Sequence, residues 1–113
     1  MAHRHNALIA VDAVSGLGAV PLPQDDWGVD VVVAGSQKAL MSPPGLAFTS
    51  ANQAALDRAA HNPGRRFYFD WERTVSGQRK DPPDSPFTPA VGLVRALDVA
   101  LGMIEAEGLQ QVF

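Results

Sequence analysis

The chain has 113 residues, the length of one small domain, and carries a net charge of −3 that gives no field drawing it to nucleic acid. Apolar residues make up 46% of it and charged residues 19%, a balance that excludes a disordered charged tail. It has no cysteine, which excludes a disulfide scaffold, a thiolate nucleophile and Cys-ligated metal centres within these residues.

No apolar run approaches the ~20 residues of a membrane span. No long hydrophobic signal core follows the Met-Ala-His-Arg-His-Asn start. The expectation is a soluble, cytoplasmic protein, or a piece of one, with no membrane partner.

Residues 7–11, Ala-Leu-Ile-Ala-Val, form a short apolar run without alternation, the habit of a strand buried on both faces in a parallel sheet. The Gly- and Pro-rich residues 15–28 form a loop rather than a crossover helix. A second strand follows over 29–34 and a third over 46–49. The connection from Ala34 to Leu46 is so short that antiparallel pairing of these two strands is expected. Ser50 with Gln53 three positions on resembles a capping box, predicting a helix to about Ala60 that ends before Asn62-Pro63-Gly64. Residues 70–76 suit one short helix. Thr88 as N-cap and Pro89 at the first helical position open a long helix ended by Gly108. Its apolar stripe is expected at Ala90, Val94, Leu97, Leu101 and Ile104, with Arg95, Asp98, Gly102 and Glu105 opposite. Three strands and two good helices do not close a sheet, so these elements are expected to belong to a larger α/β enzyme.

The informative pair is Asp12, at the end of one buried strand, and Lys38, shortly after another. In open α/β sheets ligands lie beyond the carboxyl ends of the strands. A carboxylate and an amine delivered there suit a cofactor with a cationic ring nitrogen and an electrophilic carbonyl. Pyridoxal 5'-phosphate needs both. The bland alternatives are a turn-capping Asp12 and a solvated Lys38.

The words around this pair carry a resemblance. Val11-Asp12-Ala13-Val14-Ser15-Gly16-Leu17-Gly18, Trp27-Gly28-Val29-Asp30, Ala34-Gly35-Ser36-Gln37-Lys38-Ala39-Leu40, Pro43-Pro44-Gly45-Leu46, Phe87-Thr88-Pro89-Ala90 and Ala106-Glu107-Gly108-Leu109 occur in that order. Together they resemble the class V aminotransferases, and within them the alanine–glyoxylate and serine–glyoxylate group of fold type I pyridoxal phosphate enzymes.

The resemblance implies an α/β fold, mostly parallel sheet with flanking helices, forming an incomplete large domain of a pyridoxal phosphate-dependent transferase. Residues 1–87 would be the C-terminal part of that cofactor-binding domain, and 88–113 a helix leading towards a small C-terminal domain. It implies transfer of an amino group from a small amino acid, alanine or serine, to a 2-oxo acid such as glyoxylate or pyruvate. A homodimer is implied as well. Lys38 matches the Schiff-base lysine, and Asp12 the carboxylate facing the pyridine nitrogen. Val14 matches a side chain packed near the ring, and Gln37 a polar residue that helps hold the cofactor. Thr88 matches a threonine reaching the cofactor phosphate of the other subunit, although a helix cap or plain core would also account for Thr88 and Val14.

The family's phosphate loop and ring-stacking aromatic fall before this sequence, and its carboxylate-binding arginine after it. The 113 residues alone are therefore expected to be inactive. A truncated, non-catalytic remnant that folds only with a partner is one alternative. A class V lyase or desulfurase is another, weakened because Gln37 rather than His precedes the lysine and no Cys is present.

Other groups point to less. His3 and His5 read as solvated, with no metal. Gly16-x-Gly18 lacks the third glycine of a dinucleotide fingerprint. The aromatic and basic residues 65–80 are offset by acidic neighbours and suit packing rather than nucleic acid.

Overall fold

A computed structural model describes residues 1–113. The chain divides into two units, one formed by residues 1–51 with 90–113 and the other by 52–89. The first holds a three-stranded mixed sheet, β1 (Ala10–Asp12), β2 (Val31–Gly35) and β3 (Ala47–Ala51), in that spatial order. It also contains the helices α3 (Val91–Glu107) and α4 (Leu109–Val112), while α1 (Gln53–Ala60) and α2 (Trp71–Gln78) lie in the second unit. The fold class is α/β. No helix is long and apolar enough to cross a membrane.

β1 pairs with β2 in parallel, Ala10 opposite Val31, Val11 opposite Val32 and Asp12 opposite Val33. β2 pairs with β3 antiparallel, from Val31–Ala51 to Gly35–Ala47, as the short connection required. The loop between β1 and β2 contains no helix.

The strands are not buried on both faces as the apolar runs suggested. Val32 and Ala34 are each 4% exposed, and Val32 joins Ala13 and Val29 in a core flanked by Ile9, Val11, Leu17 and Leu22. The alternate positions Ala10, Asp12, Val33 and Thr49 are exposed, Val33 at 39%. Side chains alternate across a strand, so one face is packed and the other is left largely open by this chain.

The amino ends of β1 and β2 are tied by Asp30, which is buried. Its carboxylate accepts the Ile9 N–H at 2.7 Å and lies 2.8 Å from His3 Nε2, while its own N–H donates to the Ile9 carbonyl at 2.9 Å. His3 is therefore not simply solvated. Its partner is 27 positions away and escapes a reading of near neighbours.

In the second unit, α1 is capped by Asn52, whose side chain accepts the Ala55 N–H at 2.9 Å, rather than by Ser50. Asp70 caps α2 by accepting the Glu72 N–H. Phe67, Tyr68 and Phe87 cluster, with the Arg73 guanidinium 4.9 Å from the Phe67 ring centre. Lys80 donates to Asp84 at 3.1 Å; that bond and the cation's charge hold the Asp84 carboxyl below the ordinary carboxylate range.

α3 begins later than Thr88-Pro89 suggested. The Leu93 and Val94 N–H groups both donate to the Ala90 carbonyl, and Ala90 is the N-cap without a side-chain bond. The side turned inward is Leu93, Ala96, Leu97, Ala100 and Ile104, with Val94 and Leu101 exposed. The inward stripe is thus rotated from the expected one, because α3 is apolar around much of its circumference. Gly108, at φ 91°, ends the helix as expected.

Gly77 has no room for a side chain, since a Cβ there would lie 2.6 Å from the Asp84 carbonyl oxygen. Gly77→Ala should destabilise that unit by about 1–3 kcal/mol. Denaturant unfolding monitored on the α2 amides would measure this, and an unchanged midpoint would show that the backbone yields freely.

Candidate functional site

Two loops leave the carboxyl ends of the parallel strands, and of the charged residues singled out above Asp12 ends the strand before the first and Lys38 lies in the second. Asp12 is the last residue of β1 and is exposed on the uncovered face. Its Oδ1 accepts the Val14 N–H at 3.0 Å, which orients the carboxylate at the strand end. The Ala13 N–H continues the pairing to the Val33 carbonyl at 2.8 Å. Beyond it the chain turns tightly, with the Gly16 and Leu17 N–H groups both donating to the Ala13 carbonyl. Val14 is half-buried in this turn.

Lys38 is exposed, three residues past the end of β2 at Gly35. Its carbonyl accepts the Met41 N–H at 2.9 Å and closes a turn. Gln37 is exposed, and its side chain lies over Gly35: a Cβ at Gly35 would be 2.8 Å from Gln37 Oε1. Gly35 thereby leaves room for the Gln37 amide at the end of β2. The ion pairs of the chain, His3–Asp30, Arg73–Asp70 and Lys80–Asp84, involve neither Asp12 nor Lys38.

The two loops touch. Gly18, at φ 85°, sits so close to the lysine loop that a Cβ would lie 3.1 Å from Leu40 Cδ2 and 3.5 Å from the Ala39 Cβ. Leu40 is buried. The loops that follow β1 and β2 are thus packed against each other at one edge of the sheet, Asp12 closing the strand before the first and Lys38 lying in the second. Asp12, Val14, Gln37 and Lys38 belong to this edge. Thr88 is exposed in the second unit, in the irregular stretch before α3, and it caps no helix. Sequence reasoning quoted Gly18, Gly35 and Ser36 within motifs but gave them no part in shaping the site. A Gly-Leu-Gly turn after one strand and a Gly-Ser step after the other were the available signals.

The donor set suits pyridoxal phosphate. A primary amine can bond its carbonyl carbon, and a fixed carboxylate can accept from a protonated ring nitrogen. The absence of a Cβ at Gly35 lets the Gln37 amide lie over the end of β2.

The profile of the class-V aminotransferases matches residues 1–112, and the chain belongs to that family. It is 42% identical over 116 residues to a serine–glyoxylate aminotransferase of Methylorubrum extorquens, covering 96% of this chain and 28% of that protein. It is 49% identical over 109 residues to a soluble hydrogenase small subunit of Synechococcus sp., covering 95% of this chain and 27% of that one. Among solved structures, an alanine–glyoxylate aminotransferase from Nostoc sp. superposes with a TM-score of 0.86 at 28% identity, over 97% of this chain and 29% of that chain. The chain thus spans less than a third of the length of these relatives.

Gly18→Ala should separate the two loops, through both the 3.1 Å contact with Leu40 and a positive φ that costs an L-residue about 1–2 kcal/mol. Thermal unfolding would show the lowered stability, and an unchanged melting temperature would contradict the close packing.

Proposed function

We propose that this chain supplies the lysine and the ring-nitrogen carboxylate of a pyridoxal phosphate-dependent aminotransferase. The carrying observation is that Asp12 ends β1 and Lys38 lies in the loop after the adjacent parallel strand β2, with the loops that follow the two strands meeting at Gly18 and Leu40. The family profile and the aminotransferase names of several relatives support the reading. When bound, pyridoxal phosphate supplies an electron sink for the charge left at a substrate α-carbon.

In this reading Lys38 Nζ holds the cofactor at rest, then carries the proton removed from the substrate α-carbon, as base and afterwards as acid. Asp12 keeps its negative charge towards the ring nitrogen, and the Val14 N–H on Oδ1 keeps that carboxylate aimed. Gln37 offers its amide beside the lysine, Val14 packs near the ring, and Thr88 serves the cofactor phosphate of a second subunit in a homodimer. Residues 1–87 then form part of the large cofactor domain, and 88–113 lead towards a small domain. The substrates are a small amino acid, alanine or serine, and a 2-oxo acid such as glyoxylate or pyruvate, matching the names carried by relatives. A cytoplasmic location suits these metabolites.

Borohydride reduction of the native polypeptide that carries this chain, after incubation with pyridoxal phosphate, should place the pyridoxyl group on Lys38. Labelling of Lys80 with Lys38 unmodified would refute the assignment. Asp12→Ala should retain most of the cofactor yet lose about 100-fold or more in turnover, the scale of a general acid–base or electrostatic contribution. Wild-type turnover in that variant would remove Asp12 from the chemistry.

A further inference from the structure

We propose that Ser36 is the positioning residue that fixes Lys38 at the carboxyl edge of the sheet. The inference rests on the cofactor reading above and adds to it a residue which that reading does not use. Ser36 has 0% of its surface exposed, and a hydroxyl buried so completely is costly unless bonded. It is bonded on every side. Its Oγ donates to the Pro43 carbonyl at 2.6 Å and accepts the Leu46 N–H at 3.4 Å. Its own N–H donates to the Leu46 carbonyl at 3.2 Å, and its carbonyl accepts the Ser42 N–H at 3.0 Å. One residue therefore ties the start of the lysine loop to three points on its return.

Lys38 lies two residues beyond this tie, inside the closed loop. The turn from Lys38 to Met41 requires Met41 at φ 53°, a left-handed conformation that a non-glycine residue adopts only when its surroundings impose it. The next residue, Ser42, is held to the Ser36 carbonyl and donates its own hydroxyl to the Leu40 carbonyl at 3.2 Å. The strained turn is thus bracketed by bonds that lead back to Ser36. A lysine side chain is long and mobile, and what the protein can fix is the backbone from which it springs. The hairpin itself does not need the hydroxyl, because β2 and β3 pair from Val31–Ala51 to Gly35–Ala47 before Ser36 is reached. Loss of the hydroxyl should therefore loosen the loop and leave the sheet intact.

The test compares Ser36→Ala with the unsubstituted native polypeptide. Without cofactor, the amides of Met41, Ser42 and Leu46 should exchange at least about tenfold faster in the variant, with the β2–β3 amides unchanged. With pyridoxal phosphate bound, the pH midpoint of its visible absorbance should shift and kcat should fall about 10–100-fold with KM little altered, the scale of a misplaced reacting group. Unchanged loop exchange, pH midpoint and kcat would overturn the inference while leaving the cofactor reading in place. Failure of the unsubstituted protein to be labelled at Lys38 would overturn the cofactor reading and, with it, any catalytic meaning of Ser36. If Ser36→Ala loses its cooperative melt, Ser36→Cys keeps the volume with a weakly bonding thiol and is judged by the same measurements.

Discussion

The parallel pairing of β1 with β2 is the constraint on which the site depends. It sends two strands to the same edge of the sheet, so that whatever follows each of them in sequence meets there. The pairing covers three residues of β1 and is reinforced at both ends. At the amino end, Asp30 joins the two strands through Ile9 and takes His3 as a further partner. At the carboxyl end, the Ala13 N–H extends the ladder and Gly18 lets the two loops close on each other. A carboxylate and an amine 26 positions apart in sequence are thus both carried at the carboxyl edge of the sheet.

Much of this was legible because it is written in local chemistry. The apolar runs, the Gly and Pro punctuation and the short connection to β3 are near-neighbour features, and they located the strands to within a few residues. Asp12 and Lys38 stood out because one closes a strand and the other lies shortly after the next, and the family profile agrees with the resemblance carried by the words around them. What escaped depends on partners far apart in sequence. The His3–Asp30 bond and the contact of Gly18 with Leu40 are of this kind. So is the start of α3, where the Thr88-Pro89 pair is a good local cap but the first helical bonds go to the Ala90 carbonyl. The stripe of α3 could not be placed by period alone, since Val91, Val94, Val99, Leu101 and Met103 remain exposed on its other sides.

The same distinction explains the sheet. Continuous apolar strands announce burial on both faces, yet only the face of Val11, Val32 and Ala34 is packed by this chain. The opposite face presents small and β-branched side chains, with Asp12 the one charge among the strand residues.

The central claim is that Asp12 and Lys38 hold opposite sides of one pyridoxal phosphate. A crystal structure of the native polypeptide grown with that cofactor tests it most directly. The account predicts continuous density from Lys38 Nζ to the cofactor, with the ring nitrogen within hydrogen-bond distance of the Asp12 carboxylate. A cofactor bound with its ring nitrogen away from Asp12, or joined to another lysine, would contradict it.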